Sequence, residues 1–122
     1  MRNMSFFLTT AQIHQRTKTV TRRLGWKFLK PGERFRAVRK AQGLKKGEKI
    51  EVLAVLECVS NVQEWLYEII EYPVRGARAE VSLEGFQCMP EQNFVSMFCK
   101  HMDCTPSTIV NRIEFKYVEL GA

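Results

Sequence analysis

A chain of 122 residues that is 45% hydrophobic and 26% charged can bury one core but not two, which excludes a multidomain machine and a wholly disordered polymer. A formal charge of +6 and a pI near 9.4 favour polyanionic partners. The excess gathers between Arg16 and Lys49, where Asp is absent and Glu occurs only at Glu33 and Glu48, so one face of a single domain spanning 1–122 is expected to be basic.

Near the start, Phe6, Phe7 and Leu8 are too short a run for a secretory leader, and nothing reaches the length of a membrane span. The four cysteines, Cys58, Cys88, Cys99 and Cys104, are therefore expected as reduced thiols in the cytoplasm. Residues 4–8 are apolar enough for a short strand, after which Thr9 or Thr10 can cap a helical turn over 11–15. The segment from Arg16 to Arg23 then packs four cations and three hydroxyls into eight residues without a carboxylate. Such a segment suits an anion or nucleotide site, because Arg offers a planar fork of donors, Lys a compact charge and Thr a hydroxyl that can bond or attack. Lys18 and Thr21 are three apart, which places them on opposite sides of a regular strand. They meet only if the segment bends.

Pro31-Gly32 marks a turn, and the alternation of Phe35 and Ala37 with Arg36 and Val38 predicts a strand over 35–40. After the glycine-bracketed loop 43–48 comes the most β-prone run, 50–59, with Ile50, Val52, Ala54 and Leu56 on one face; it is expected to pair with 35–40 as a hairpin. Residues 62–72 are ambiguous, since Trp65, Leu66, Ile69 and Ile70 keep helical spacing and Pro73 ends the segment. The stretch 74–83 reads as a loop or a loose helix. Pro90 followed by Phe94, Val95, Phe98 and Met102 predicts a helix over 90–102, and Thr105-Pro106-Ser107 breaks it. A closing strand over 109–118 carries Ile113, Phe115 and Tyr117 on one side. The class is α+β: a small, strongly curved sheet or barrel of about five or six strands with two or three helices.

Cys88, Cys99, His101 and Cys104 are metal-binding residue types, but they lack a close pair and Cys99 shares a packing helix, so no zinc site is expected. His14 and His101 fit surface or cap roles. Trp26, Phe28 and Phe35 interleave with cations in a pattern that can stack bases, although the same rings suit the inside of a barrel, and core is favoured for most of them. Glu84, before Gly85, lies on a glycine-fixed loop from which a carboxylate can reach a pocket.

Lys18-Thr19-Val20-Thr21-Arg22-Arg23 resembles the signature of the ASCH domain family, Gly-x-Lys-x-x-[Thr or Glu]-x-Arg. Lys18, Thr21 and Arg23 match it, and Arg16 stands where the family usually has Gly. The resemblance extends through 29–33, Glu84-Gly85-Phe86 and Ile113-Glu114-Phe115, leaving 62–80 poorly matched. It is to the single-domain versions that bacteria and their phages encode. It implies a PUA-like β-barrel with a cleft between barrel and helices, and either RNA binding or removal of the acyl group from N4-acetylcytidine and related nucleosides. For the second activity it implies Lys18, Thr21 and Glu84 as catalytic residues, with Thr21 as nucleophile, a neutral Lys18 as its base, and Glu84 holding the cytosine amine edge and passing it a proton. Arg16, Arg22, Arg23, Trp26, Arg36 and Arg39 are the candidate RNA- or substrate-binding residues. No cofactor, metal or membrane contact is expected, and catalysis and plain binding both remain open.

Overall fold

The computed structural model describes residues 1–71 and 74–119; Tyr72 and Pro73, at the end of the ambiguous segment, lie outside them. Its strands are β1 (Arg2–Ser5), β2 (Val20–Arg23), β3 (Arg34–Val38), β4 (Val52–Trp65) and β5 (Ile109–Tyr117). The helices are α1 (Thr10–His14), α2 (Glu68–Glu71), α3 (Val74–Leu83) and α4 (Glu91–Met102). The five strands form one sheet in the order β1-β3-β4-β5-β2, with β1 parallel to β3 and every other pair antiparallel. The sheet curls into a half-barrel whose edges are β1 and β2.

The curl has a local cause in β4. Its register against β5 shifts between Cys58 and Ser60, and an extra residue in one strand of a pair bends it and increases its twist. Leu56 and Cys58 face inward, whereas beyond the shift the inward position is Asn61, whose amide donates to the Trp26 carbonyl at 2.9 Å and the Leu29 carbonyl at 2.8 Å. Inward positions thus pass from even to odd numbers, which no fixed alternation anticipates. Ile50 precedes the strand and Val52 starts it; both are exposed, contrary to the inward face expected for them.

One further expectation is corrected, and two open readings are decided. The strand over 4–8 stops at Ser5, because Phe6 bonds through its amide to Val38 and then turns, leaving Phe7 and Leu8 exposed on a 3-10 turn, Phe7–Thr9. The helical spacing from Trp65 onward is overridden by pairing: 60–65 stay extended because β5 supplies their hydrogen-bond partners, and only α2 is helical. The stretch 74–83, open between loop and loose helix, is a helix, Val74–Leu83, so four α-helices stand among the described residues where two or three were expected. α4 matches its expectation, with Pro90 as its N-cap residue and Phe94, Val95 and Phe98 buried.

Two apolar clusters result. Inside the curl, Met4, Phe6, Phe35, Leu56, Ile113 and Phe115 are buried together, while Leu66, Ile69, Val81, Phe94, Phe98 and Val110 join the helices to the far end of the β4-β5 hairpin. Phe35 is core, Trp26 packs against the first cluster, and Phe28 is exposed with the Arg2 guanidinium 3.9 Å above its ring.

Candidate active site

The basic segment bends before it becomes a strand. Arg16 adopts a left-handed backbone (φ 59°), a conformation that costs a non-glycine residue about 1–2 kcal/mol, at the position where the resembling family has Gly. Residues 17–19 are irregular, and Thr19 is tied on both sides: its amide donates to the Leu83 carbonyl and its carbonyl accepts from the Phe115 amide, each at 2.9 Å. The Tyr117 hydroxyl donates to the Lys18 carbonyl at 2.7 Å. So held, Lys18 and Thr21 both line one pocket.

Glu84 arrives from the other side. It follows α3, where Gly85 takes a positive φ of 101° and closes the helix end. The Lys18 ammonium donates to the Glu84 carbonyl at 2.7 Å and to its Oε1 at 2.9 Å. Glu84 Oε2 accepts from Arg22 Nη1 at 2.9 Å. The negative end of α3 lies there too, which favours cations at that spot.

Arg22 is the centre of a wider cluster. It also donates to Glu80 Oε1 and Glu64 Oε1, both at 2.8 Å, and Glu80 in turn accepts from Arg112. Thr21 Oγ1 accepts from Arg23 Nε at 3.0 Å, and the Arg23 guanidinium lies 4.6 Å from the centre of the Phe6 ring. Lys18, Thr21, Arg22, Glu80 and Glu84 are buried, and among the described residues every buried side-chain nitrogen or oxygen has a partner.

Burial and its neighbours set the charges. Lys18 is pulled below the usual lysine value by burial, which the attraction of Glu84 only partly offsets, and Arg23 and Arg22 pull it the same way. Burial lowers Arg23 to about 10, leaving it charged at neutral pH. Arg22 also suffers burial, but Glu84, Glu64 and Glu80 outweigh it and hold its pKa above the ordinary arginine range. Glu80 would rise on burial, yet Arg112 and Arg22 keep it below the usual carboxylate value. Lys18, Arg22 and Arg112 thus pair with Glu64, Glu80 and Glu84, and Arg112 also reaches Glu114 at 3.8 Å.

The pocket has a volume of about 280 Å³ and lies at the seam of the two apolar clusters, between Phe6 on one side and Phe94 and Phe98 on the other. That is just under the range of about 300–1,000 Å³ typical of small-molecule sites. Its exposed lining residues are Phe7, Leu8, His101 and Met102. Arg16, Trp26, Arg36 and Arg39 do not line it. Arg16 pairs with Glu119, Arg36 donates to Asn3 and the Met1 carbonyl, and Arg39 pairs with Glu48 and Glu51. Glu64, Glu80 and Arg112 were not singled out from sequence. Glu80 and Glu84 are four apart, the helical spacing that sets two side chains on one face at the end of α3. Among the described residues no group of three or more His, Cys, Asp or Glu can hold a metal ion, and no helix is long and apolar enough to cross a membrane.

Gly85 fixes this geometry from behind. A Cβ there would meet Gln12 Cγ at 3.0 Å and Lys18 Cβ at 3.4 Å. Gly85→Ala is therefore expected to cost about 1–3 kcal/mol, read as a lower urea midpoint, and to push Gln12 aside. An unchanged midpoint would mean that the turn relaxes around a methyl group.

No family model matches the sequence, and neither does any curated protein. Among solved structures the chain is similar to the crystal structure of an ASCH domain from Lactobacillus crispatus JV V101, at 12% identity and a TM-score of 0.50, over 90% of this chain and 70% of that one. At that identity the likeness is one of architecture: the half-barrel with its four helices is an ASCH-type, PUA-like α+β fold.

Proposed function

We propose that this protein is an amidohydrolase that deacylates N4-acylated cytidine-type nucleosides in the pocket between the half-barrel and its helices. The observation that carries the reading is the buried 2.9 Å contact between Lys18 and Glu84 on the wall of a pocket that Thr21 also lines. A pure RNA-binding module needs an open row of free cations. Here Arg16, Arg36 and Arg39 are engaged by their own chain, and the exposed pocket lining is mostly apolar.

In the first half of the reaction, neutral Lys18 takes the Thr21 hydroxyl proton as Oγ1 attacks the acyl carbon. Arg23, donating to that oxygen, favours its negative charge. The tetrahedral intermediate collapses by breaking the carbon–N4 bond, and the Lys18 ammonium returns the proton to the leaving amine. Water then attacks the acyl-Thr21 ester with Lys18 again as base, releasing the carboxylic acid and restoring the hydroxyl. Proton delivery falls to Lys18, while Glu84, which accepts from Lys18 and from Arg22, positions that amine and can accept from the cytosine edge.

The test is incubation of purified protein with N4-acetylcytidine and larger N4-acylcytidines. Equimolar cytidine and carboxylate are expected, with the acyl group recovered on Thr21 after rapid acid quench. Absence of turnover together with salt-sensitive RNA binding would replace the enzyme by a binding module.

A further inference from the structure

Two of the cysteines that the sequence groups around His101 find a use outside the pocket. α4 ends at Asp103 in a left-handed conformation (φ 50°), and the Cys104 amide donates back to the Cys99 carbonyl at 3.1 Å. This is a Schellman closure, in which the side chains of the two residues so joined commonly touch. Here both are cysteines. Both are half-buried, and both pack against the second apolar cluster. Cys58 is buried against the sheet, and Cys88 is exposed before α4.

We propose that Cys99 and Cys104 form a reversible disulfide by exchange with a small disulfide of the glutathione class. One cysteine thiolate attacks the glutathione disulfide, breaking its S–S bond and releasing a first glutathione thiolate. The second cysteine thiolate attacks the resulting mixed disulfide, forms the Cys99–Cys104 bond and releases the second glutathione. Two electrons pass from the cysteines to the glutathione disulfide, and both protein thiol protons go to solvent or the departing thiolates.

The bond would tie the left-handed turn to the last turn of α4, which carries Phe98, His101 and Met102 into the pocket wall. It acts as a clasp on that wall and stands whether or not the pocket deacylates nucleosides. Burial, and then Cys104 beside it, push the Cys99 thiol up, so exchange is expected to quicken as pH rises.

The test equilibrates the full chain with glutathione mixtures from fully reduced to fully oxidised, traps free thiols by alkylation and maps the peptides. The expected result is an intramolecular Cys99–Cys104 link, lost on adding dithiothreitol, with slower amide exchange over residues 99–104 in the oxidised form. Cys104→Ser should give a glutathione adduct at Cys99 and no internal link. Both thiols remaining alkylatable in fully oxidised glutathione, stable adducts without the internal link in the unaltered chain, or a link between two chains would each overturn the proposal.

Discussion

Arg22→Met is expected to destabilise the fold by about 3–5 kcal/mol, the usual cost of removing one side of a buried ion pair, out of a total stability of about 5–15 kcal/mol for a domain. Arg22 is buried and donates to carboxylates from three places: Glu64 on β4, Glu80 on α3 and Glu84 just beyond it. Methionine keeps the volume and leaves those charges facing one another. Denaturant unfolding would read the loss directly. Adding Glu80→Gln and Glu84→Gln should recover part of it, since the cost lies in the uncompensated charges. A loss below about 1 kcal/mol would show that Lys18 and Arg112 suffice to hold the three acids. The variant should also change the acid limb. In the unaltered chain Glu80 has a folded pKa below its ordinary 4.5, so its contribution is intact above that value and is lost as pH falls through the folded one. With Arg22 gone, the loss should begin at higher pH.

Thr21→Ala is expected to lower kcat/KM on an N4-acylcytidine by at least about 10³-fold, because the attacking atom is removed. Lys18→Met should cost about 10²–10⁴-fold, the range for a general base, and Thr21→Ser should keep most of the rate. Turnover by Thr21→Ala at the unaltered rate would exclude Thr21 as nucleophile. In the active enzyme the rate should rise with pH as Lys18 loses its proton, with a midpoint below the ordinary lysine value of 10.5. The same shift acts on stability. The folded chain holds this proton more weakly than the unfolded chain, so stability should rise with pH between the two pKa values. Lys18→Met should flatten that rise, and a rise that survives unaltered would move its origin away from Lys18. Far-UV circular dichroism on each variant separates a lost reaction from a lost fold.

Some of this was written locally. Pro90, followed by apolar residues at three- and four-residue intervals, fixes α4 because helix propagation needs only near neighbours. The alternation in β3 and β5 likewise survives into the structure, with Phe35, Ala37, Ile113 and Phe115 buried. Other features depended on distant partners. Trp65 stays extended because Ile109 pairs with it. The inward face of β4 changes phase where its register shifts, and two-residue alternation carries no sign of that.

The candidate site divides in the same way. Sequence by itself determined a segment rich in cations and hydroxyls, in which Lys18 and Thr21 can share a site only if the segment bends. Only the tertiary structure decided that Glu84, 66 residues away, meets Lys18, that Arg22 is locked among three acids, and that Arg16, Arg36 and Arg39 turn to partners elsewhere. The reason is physical: local geometry follows from short-range sterics and hydrogen bonding, whereas burial sets which charges must be paired, and burial is a property of the assembled chain.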